Sequence, residues 1–269
     1  MQTTIPILTI AFMAVSALIG LAIPAVLYII FRRKGASHLP FWIGCAIFVL
    51  FALVLEQLMY AGIAKLPLWL TIKSSIWTYG IAGGFFAGLF EETGRFVAFK
   101  TVLRKKRGND VNGLMYGAGH GGIEVVILLS FSMITNVIFS LQINAGVDSQ
   151  LGSLSAAQSL INTPSWMFLV GSLERFSAVA LHVSLSVLVW FAAKGGKRFW
   201  LYPLAILLHL LINAVAVILS GYAVNVWIVE AAVYVVAAVS IVLAVLTWKK
   251  NHKAETAAPV GEAPAVAEV

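Results

Sequence analysis

Residues 76–98 read IWTYGIAGGFFAGLFEETGRFVA, and their reading decides the fold. Fifteen apolar or small residues run without a charge into Glu91-Glu92-Thr93-Gly94-Arg95. A helical span needs roughly 20 predominantly apolar residues, so the two carboxylates and the guanidinium fall inside a segment long enough to cross a bilayer. No water solvates such groups in hydrocarbon, and they must pair or line a wet cavity. Intramembrane charge therefore points to function by default.

The rest of the chain is of the same kind. Of 269 residues, 61% are hydrophobic and 11% charged, far from the composition of a soluble domain. The expected fold is an all-α, polytopic membrane bundle of about seven helices, near 5–31, 41–62, 76–98, 113–140, 165–193, 200–220 and 226–248. Positive charge orients it, because Lys and Arg concentrate in cytoplasmic loops. Arg32, Arg33 and Lys34 follow the first span, Lys100 and Arg104 to Arg107 the third, Lys194, Lys197 and Arg198 the fifth, and Lys249, Lys250 and Lys253 the seventh. Only Lys65 and Lys73 lie in the opposite loops. The N terminus is expected outside and the C terminus in the cytoplasm. The net charge of +7 thus reads as orientation at lipid headgroups, with no nucleic-acid partner.

Residues 1–253 read as one integral-membrane domain in the cell membrane, with core motifs in 76–215, and 254–269 as a disordered cytoplasmic tail. The first span lacks a basic leader and reads as a retained helix. Cys45 is the one cysteine, which excludes an intramolecular disulfide and a thiol-metal cluster. Residues 142–164, with Asp148 and Gly152, form the longest outer loop, and 64–75 a segment lying at the interface. No internal repeat is evident.

Depth follows from helical rise. Glu91 stands nine residues before Lys100, His120 and Glu124 eight and twelve after Asn112, His182 twelve before Lys194, and His209 eleven after Arg198. At about 1.5 Å per residue all lie roughly 12–18 Å inside the cytoplasmic boundary. Residues four apart share a helix face, so Glu91 with Arg95, Tyr116 with His120 and Glu124, and His209 with Asn213 can each point into one cavity. Gly113, Gly117 and Gly121 repeat at the spacing that lets helices approach closely. A carboxylate exceeding its guanidinium partner suits a general base, and imidazoles and an Asn amide suit a developing oxyanion. No nucleophilic side chain stands in this layer, so water attacking a carbonyl is the natural reaction.

At these residues the chain resembles the YhfC-like branch of the glutamic-type intramembrane proteases, within the type II CAAX protease superfamily. That pattern has a Glu-Glu pair followed by a basic residue, an aromatic residue four before His, and His four before Asn or Asp. Glu91-Glu92-Thr93-Gly94-Arg95, Tyr116 through His120, and His209 through Asn213 match in that order, over about 76–215. The resemblance implies an intramembrane endopeptidase acting on a membrane-embedded or lipid-anchored protein. It implies that Glu91 or Glu92 activates water with His120, that His209 and Asn213 stabilise the oxyanion, and that Arg95, Glu124 and His182 support them. No cofactor is expected, with zinc or another divalent metal as the lesser alternative, since the HExxH spacing is absent.

Other readings stay open. The seven-span layout and the stretches Leu181-His182-Val183 and His209-Leu210-Leu211 also resemble the non-catalytic multi-span scaffold subunit of gamma-secretase, which lacks the full glutamate pair and acts in a membrane-protein complex. Buried Glu and His also serve proton-coupled transporters. Glu56 and Glu230 fall in the outer halves of their spans, and Glu174 with Arg175 reads as an ion pair near the outer interface.

Overall fold

The computed structural model describes residues 4–146 and 154–252. The expected tail at 254–269, and Asp148 and Gly152 of the outer loop, lie outside the described residues. Every regular element among the described residues is a helix. The long ones are α1 (Ile7–Arg33), α2 (Leu39–Ile63), α4 (Ile76–Lys100), α5 (Val111–Asn144), α7 (Met167–Ala193), α8 (Leu201–Gly221) and α9 (Val226–Asn251). Short helices α3 (Pro67–Lys73) and α6 (Leu154–Asn162) lie between them, α3 within the segment expected at the interface.

Six of these helices, all the long ones except α4, are both long and apolar enough to cross a membrane. At 25 residues α4 has the length, about 38 Å at 1.5 Å per residue, but its glycines and the Glu91, Glu92 and Arg95 charges dilute its apolarity. It is the remaining member of the expected seven. Helix starts are set by local chemistry where the chain allows it. Ser75 and Asn225 accept hydrogen bonds from the backbone N–H of Trp77 and Trp227, capping α4 and α9. Basic residues close α1, α4 and α9, where they oppose the negative end of the helix dipole. Gly195 and Gly196, at φ of 85° and 70°, make the sharp return from α7 to α8 that a side chain would resist.

The basic loops meet at one end of the bundle. Asn109 donates to the carbonyl of Gly35 at 2.9 Å, and Asn112 accepts from the backbone N–H of Ser37 at 2.8 Å. Buried Asp110 accepts from Trp190 Nε1 at 2.8 Å, pairs with Lys194, and lies 3.0 Å from Nδ1 of His252. These bonds tie the α1–α2, α4–α5 and α7–α8 turns and the end of α9 into one plate, called the basic end below.

Two glycine stripes set the helix spacing. A Cβ added at Gly80, Gly84 or Gly88 of α4 meets Ile218, Leu210 or Ile206 of α8 at 2.5–2.8 Å. On α5, Gly113, Gly117 and Gly121 lie against Trp190, Val183 and His182 of α7 at 2.7–3.0 Å. Such contact distances leave no room for a side chain, so backbones approach closely. The other faces of α5 are equally bare, with Gly119 against the Phe41 carbonyl of α2 and Gly122 against Pro24 of α1. α7 is consequently the central helix, its residues 184–193 all buried. Both α2 and α5 loosen into π-helical turns, at Val49–Leu55 and Val126–Phe131, a geometry that recurs beside functional sites.

Candidate active site

Adjacent residues on a helix point about 100° apart, so Glu91 and Glu92 address different neighbours. Glu92, fully buried, is paired with Arg95 one turn later and accepts from Nδ1 of His209 at 2.9 Å. Glu91 faces α5 instead, with Oε2 2.8 Å from Nε2 of His120 and Oε1 3.7 Å from Nε2 of His209. His209 therefore stands between the two carboxylates. The stripe at Gly80, Gly84 and Gly88 makes this possible, since Gly88 itself lies 3.3 Å from the His209 Cβ when given a side chain.

His120 is fully buried between rings, stacked on Tyr116 (5.8 Å) and edge-on to Phe48 (5.3 Å). Its Nδ1 and the Tyr116 hydroxyl are buried without a hydrogen-bond partner. His182 bridges the groups of α4 and α5. Arg95 reaches its Nδ1 at 3.2 Å, and because a guanidinium only donates, the ring's proton is left on Nε2. That nitrogen lies 2.5 Å from Glu124 Oε2, close but out of line for a hydrogen bond. The three imidazoles touch in sequence, His120 to His182 at 5.0 Å and His182 to His209 at 5.4 Å between ring centres.

A cavity of about 80 Å³ opens beside this cluster, lined by Glu91, His182, His209, Asn213, Glu124 and Arg175 among others. The structure thus brings together Glu91, Glu92, Arg95, His120, His182 and His209 by direct contact, with Asn213 on the cavity wall. Glu124, expected on the cavity face of α5, lines the cavity and approaches His182 of α7. Two details differ from the sequence reading. Arg95, expected to share the cavity with Glu91, pairs with Glu92 one turn before it and stands off the cavity wall. Arg175 is no interfacial partner of Glu174 alone. It also donates to Glu124 at 3.2 Å, with its side chain 14% exposed. The spacing of seven from Arg175 to His182, two turns on one face, was the available signal.

Buried charge does not balance here. Three carboxylates, Glu91, Glu92 and Glu124, stand against the guanidiniums of Arg95 and Arg175, an excess of one negative charge that burial penalises unless another cation or a proton joins. The donor atoms of Glu91, His182 and His209 all lie within 4.8 Å of one another. Over residues 19–234 the chain matches the family described as "YhfC intramembrane metalloprotease".

The chain belongs to the YhfC family. A Bacillus subtilis (strain 168) relative, described as "Uncharacterized membrane protein YhfC", is 34% identical over 252 residues, covering 86% of this chain and 93% of its own. No solved structure matches. The YhfC description supports an integral-membrane, multi-pass protein and names a metal, where the sequence reading expected none and kept zinc as its lesser alternative.

Proposed function

We propose that this chain is an intramembrane endopeptidase that hydrolyses a peptide bond of a membrane-associated protein with water held at Glu91. The observation that carries this reading is the different surroundings of the two neighbouring carboxylates. Glu92 is committed to Arg95 and His209, whereas Glu91 has only imidazole neighbours and faces the cavity. A carboxylate free of a guanidinium can take a proton from water and return it to the leaving amine. His120 holds that carboxylate from the closed side, and the ring contacts of Tyr116 and Phe48 fix the imidazole. Asn213 faces the cavity and can donate to the carbonyl oxygen as it gains charge; His209, whose Nδ1–H is given to Glu92, donates from Nε2 only when doubly protonated.

The metal named by the family fits these residues. Glu91, His182 and His209 are the residues that would hold a divalent ion, a His₂Glu donor set of the kind catalytic zinc sites use, and Glu91 would then be a ligand and not the base. His209 already gives its Nδ1 to Glu92, the carboxylate support found behind metal-ligating histidines. The excess negative charge also suits a cation. The chemistry such an ion would supply is polarisation of the scissile carbonyl and a lower pKa for the attacking water. His182 would exchange its contact with Arg95 or Glu124 for the ion, so Arg95 and Arg175 then serve to place the carboxylates.

The test is cleavage of a membrane-embedded substrate by purified protein in liposomes. Glu91→Ala, His120→Ala and His209→Ala should each lose at least ~100-fold in rate while remaining folded. Chelation should abolish cleavage and zinc restore it if the family's metal serves this chain. Activity indifferent to chelation but lost in Glu91→Ala leaves the glutamate-dependent form. If all three variants cleave normally, the centre is not at Glu91; if the protein does not cleave and the variants lose only the assembly of a partner complex, the scaffold reading replaces the enzyme.

A further inference from the structure

The surroundings of Glu91 differ above and below it. From the level of Glu91, His182 and His209, the cavity continues along α7 through Ala178, Ser177 and Arg175 toward that helix's start, and along α8 through Asn213 and Ala216 toward its end. Val233, in the first turns of α9, closes its wall. All of these lie on the side away from the basic end. In the other direction an apolar groove of about 780 Å³ between α1, α5, α7 and α9 reaches the basic end at Lys34 and Trp248 but is lined by no carboxylate or imidazole. Between Glu91 and that end the packing is tight. Tyr116, Phe99 and Trp190 stack edge to face at 4.6 and 4.9 Å, and Leu185, Leu188 and Ala205 around them are fully buried. Close-packed interiors of this kind leave no path for water.

Polar chemistry has the same asymmetry. Glu56 and Glu230, buried at 7% and 8% exposure, stand in the halves of α2 and α9 away from the basic end, and Glu174 and Arg175 in that half of α7. Buried Asp110 and Asn112 on the other side, by contrast, are bonded into the turns of the basic end. A hydrolase needs water at its carboxylate, and of the two directions only one is both open and polar. A space of about 80 Å³ admits several waters but no polypeptide strand. Arg175, which joins Glu124 to Glu174 across the lining, and the α8–α9 wall are the parts that must give way for a substrate.

We infer that the centre is served from one face alone: water and the scissile segment reach Glu91 between α7, α8 and α9, from the face opposite the basic loops. The inference rests on the reading of Glu91 as the hydrolytic centre. It names the substrate class as a membrane protein whose scissile segment enters through the half of the bilayer away from the basic loops, which charge asymmetry makes the non-cytoplasmic half, and is cut at the depth of Glu91 near the midplane.

Substituted-cysteine labelling of the full chain in sealed proteoliposomes tests it. In a Cys45→Ser background, a charged, membrane-impermeant methanethiosulfonate is applied from each side to Ala178→Cys. Exposed Lys65→Cys and Lys105→Cys mark the two faces. The expected result is complete modification of Ala178→Cys from the Lys65 side and none from the Lys105 side, with Ser177→Cys, a near-isosteric change, behaving alike. Modification from the Lys105 side, or from neither side in a folded protein, overturns the inference. The labelling is read without any cleavage assay. One-sided labelling of a chain that fails the Glu91 test would leave the aqueous route standing and remove the peptidase.

Discussion

The contact of α4 with α8 and that of α5 with α7 are built from the same twelve-residue pattern. Gly80, Gly84, Gly88 and Glu91 stand at the spacing of Gly113, Gly117, Gly121 and Glu124. In each pair the contacted residue numbers fall on the facing helix as those of the glycine helix rise, so both contacts are antiparallel. Each ends with a carboxylate beside a histidine of the facing helix, Glu91 near His209 and Glu124 near His182. What differs is the guanidinium. On α4 it comes from Arg95 and is taken by the additional Glu92, which leaves Glu91 to the histidines. On α5 no second carboxylate follows, and Glu124 itself receives Arg175 from α7. One pattern supplies two frames, and the placement of the cation separates a carboxylate with imidazole partners, Glu91, from one paired with a guanidinium, Glu124.

Removing the two cations should break this comparison most strongly. Arg95 is fully buried against Glu92, and deleting one partner of a buried pair typically costs about 3–5 kcal/mol because the other charge is stranded. Arg95→Met should therefore lower stability by that amount in detergent unfolding, with Glu92→Gln in the same chain recovering much of it. Arg175→Met should cost less, since of the two carboxylates it leaves, Glu174 is 42% exposed and Glu124, 13% exposed, lines the cavity where water can reach it. Equal losses for the two arginines would mean that the frames are alike and that Glu91 holds no special position.

Much of this was legible in the sequence, for a physical reason. Apolar runs fix spans, and the 3.6-residue period fixes which residues share a face, so His209 and Asn213 could be placed on one wall without coordinates; Arg95, expected to share the cavity with Glu91, turns to Glu92 instead. The depth at which Glu91, His120, His182 and His209 meet followed from rise per residue alone. Reach between helices did not follow. Whether Arg175 ends at the interface or at Glu124 depends on the crossing of α5 and α7, which the period of one helix does not contain. The stripe of Gly80, Gly84 and Gly88 has the spacing of the one on α5, but the spacing on one helix does not say which neighbour it meets. A pattern of twelve residues carried by helices of opposite direction is too short to register as an internal repeat. The π-turns at Val49–Leu55 and Val126–Phe131 carry no sequence pattern that distinguishes them from ordinary apolar helix.

A middle-sized effect is expected where the stripes touch. At Gly84 an added Cβ meets the Leu210 carbonyl at 2.5 Å, and at Gly117 the Val183 Cα at 2.7 Å. Both obstacles are backbone, which cannot rotate away, so Gly84→Ala and Gly117→Ala should each cost about 1–3 kcal/mol as overpacking does. Each should also slow cleavage by moving its carboxylate relative to the facing histidine. Unfolding and cleavage measured on both variants would sharpen the comparison. A stripe whose alanine variant is as stable and active as the parent would not be setting its helix contact.

The smallest effect should come from Gly83, which is next to Gly84 on α4 but outside the stripe. The nearest atom to a Cβ at that position is the Tyr60 hydroxyl at 3.9 Å, ordinary contact with the end of a side chain. Alanine there adds no clash and removes the conformational freedom that makes glycine a poor helix residue, a gain of up to about 1 kcal/mol. Gly83→Ala should thus unfold at the parent's midpoint or slightly above it and cleave at the parent's rate. If it destabilised the chain as much as Gly84→Ala, the sensitivity of α4 would belong to the whole helix and not to its contact with α8. The likeness between the two glycine patterns would then be one of sequence without a shared structural cause.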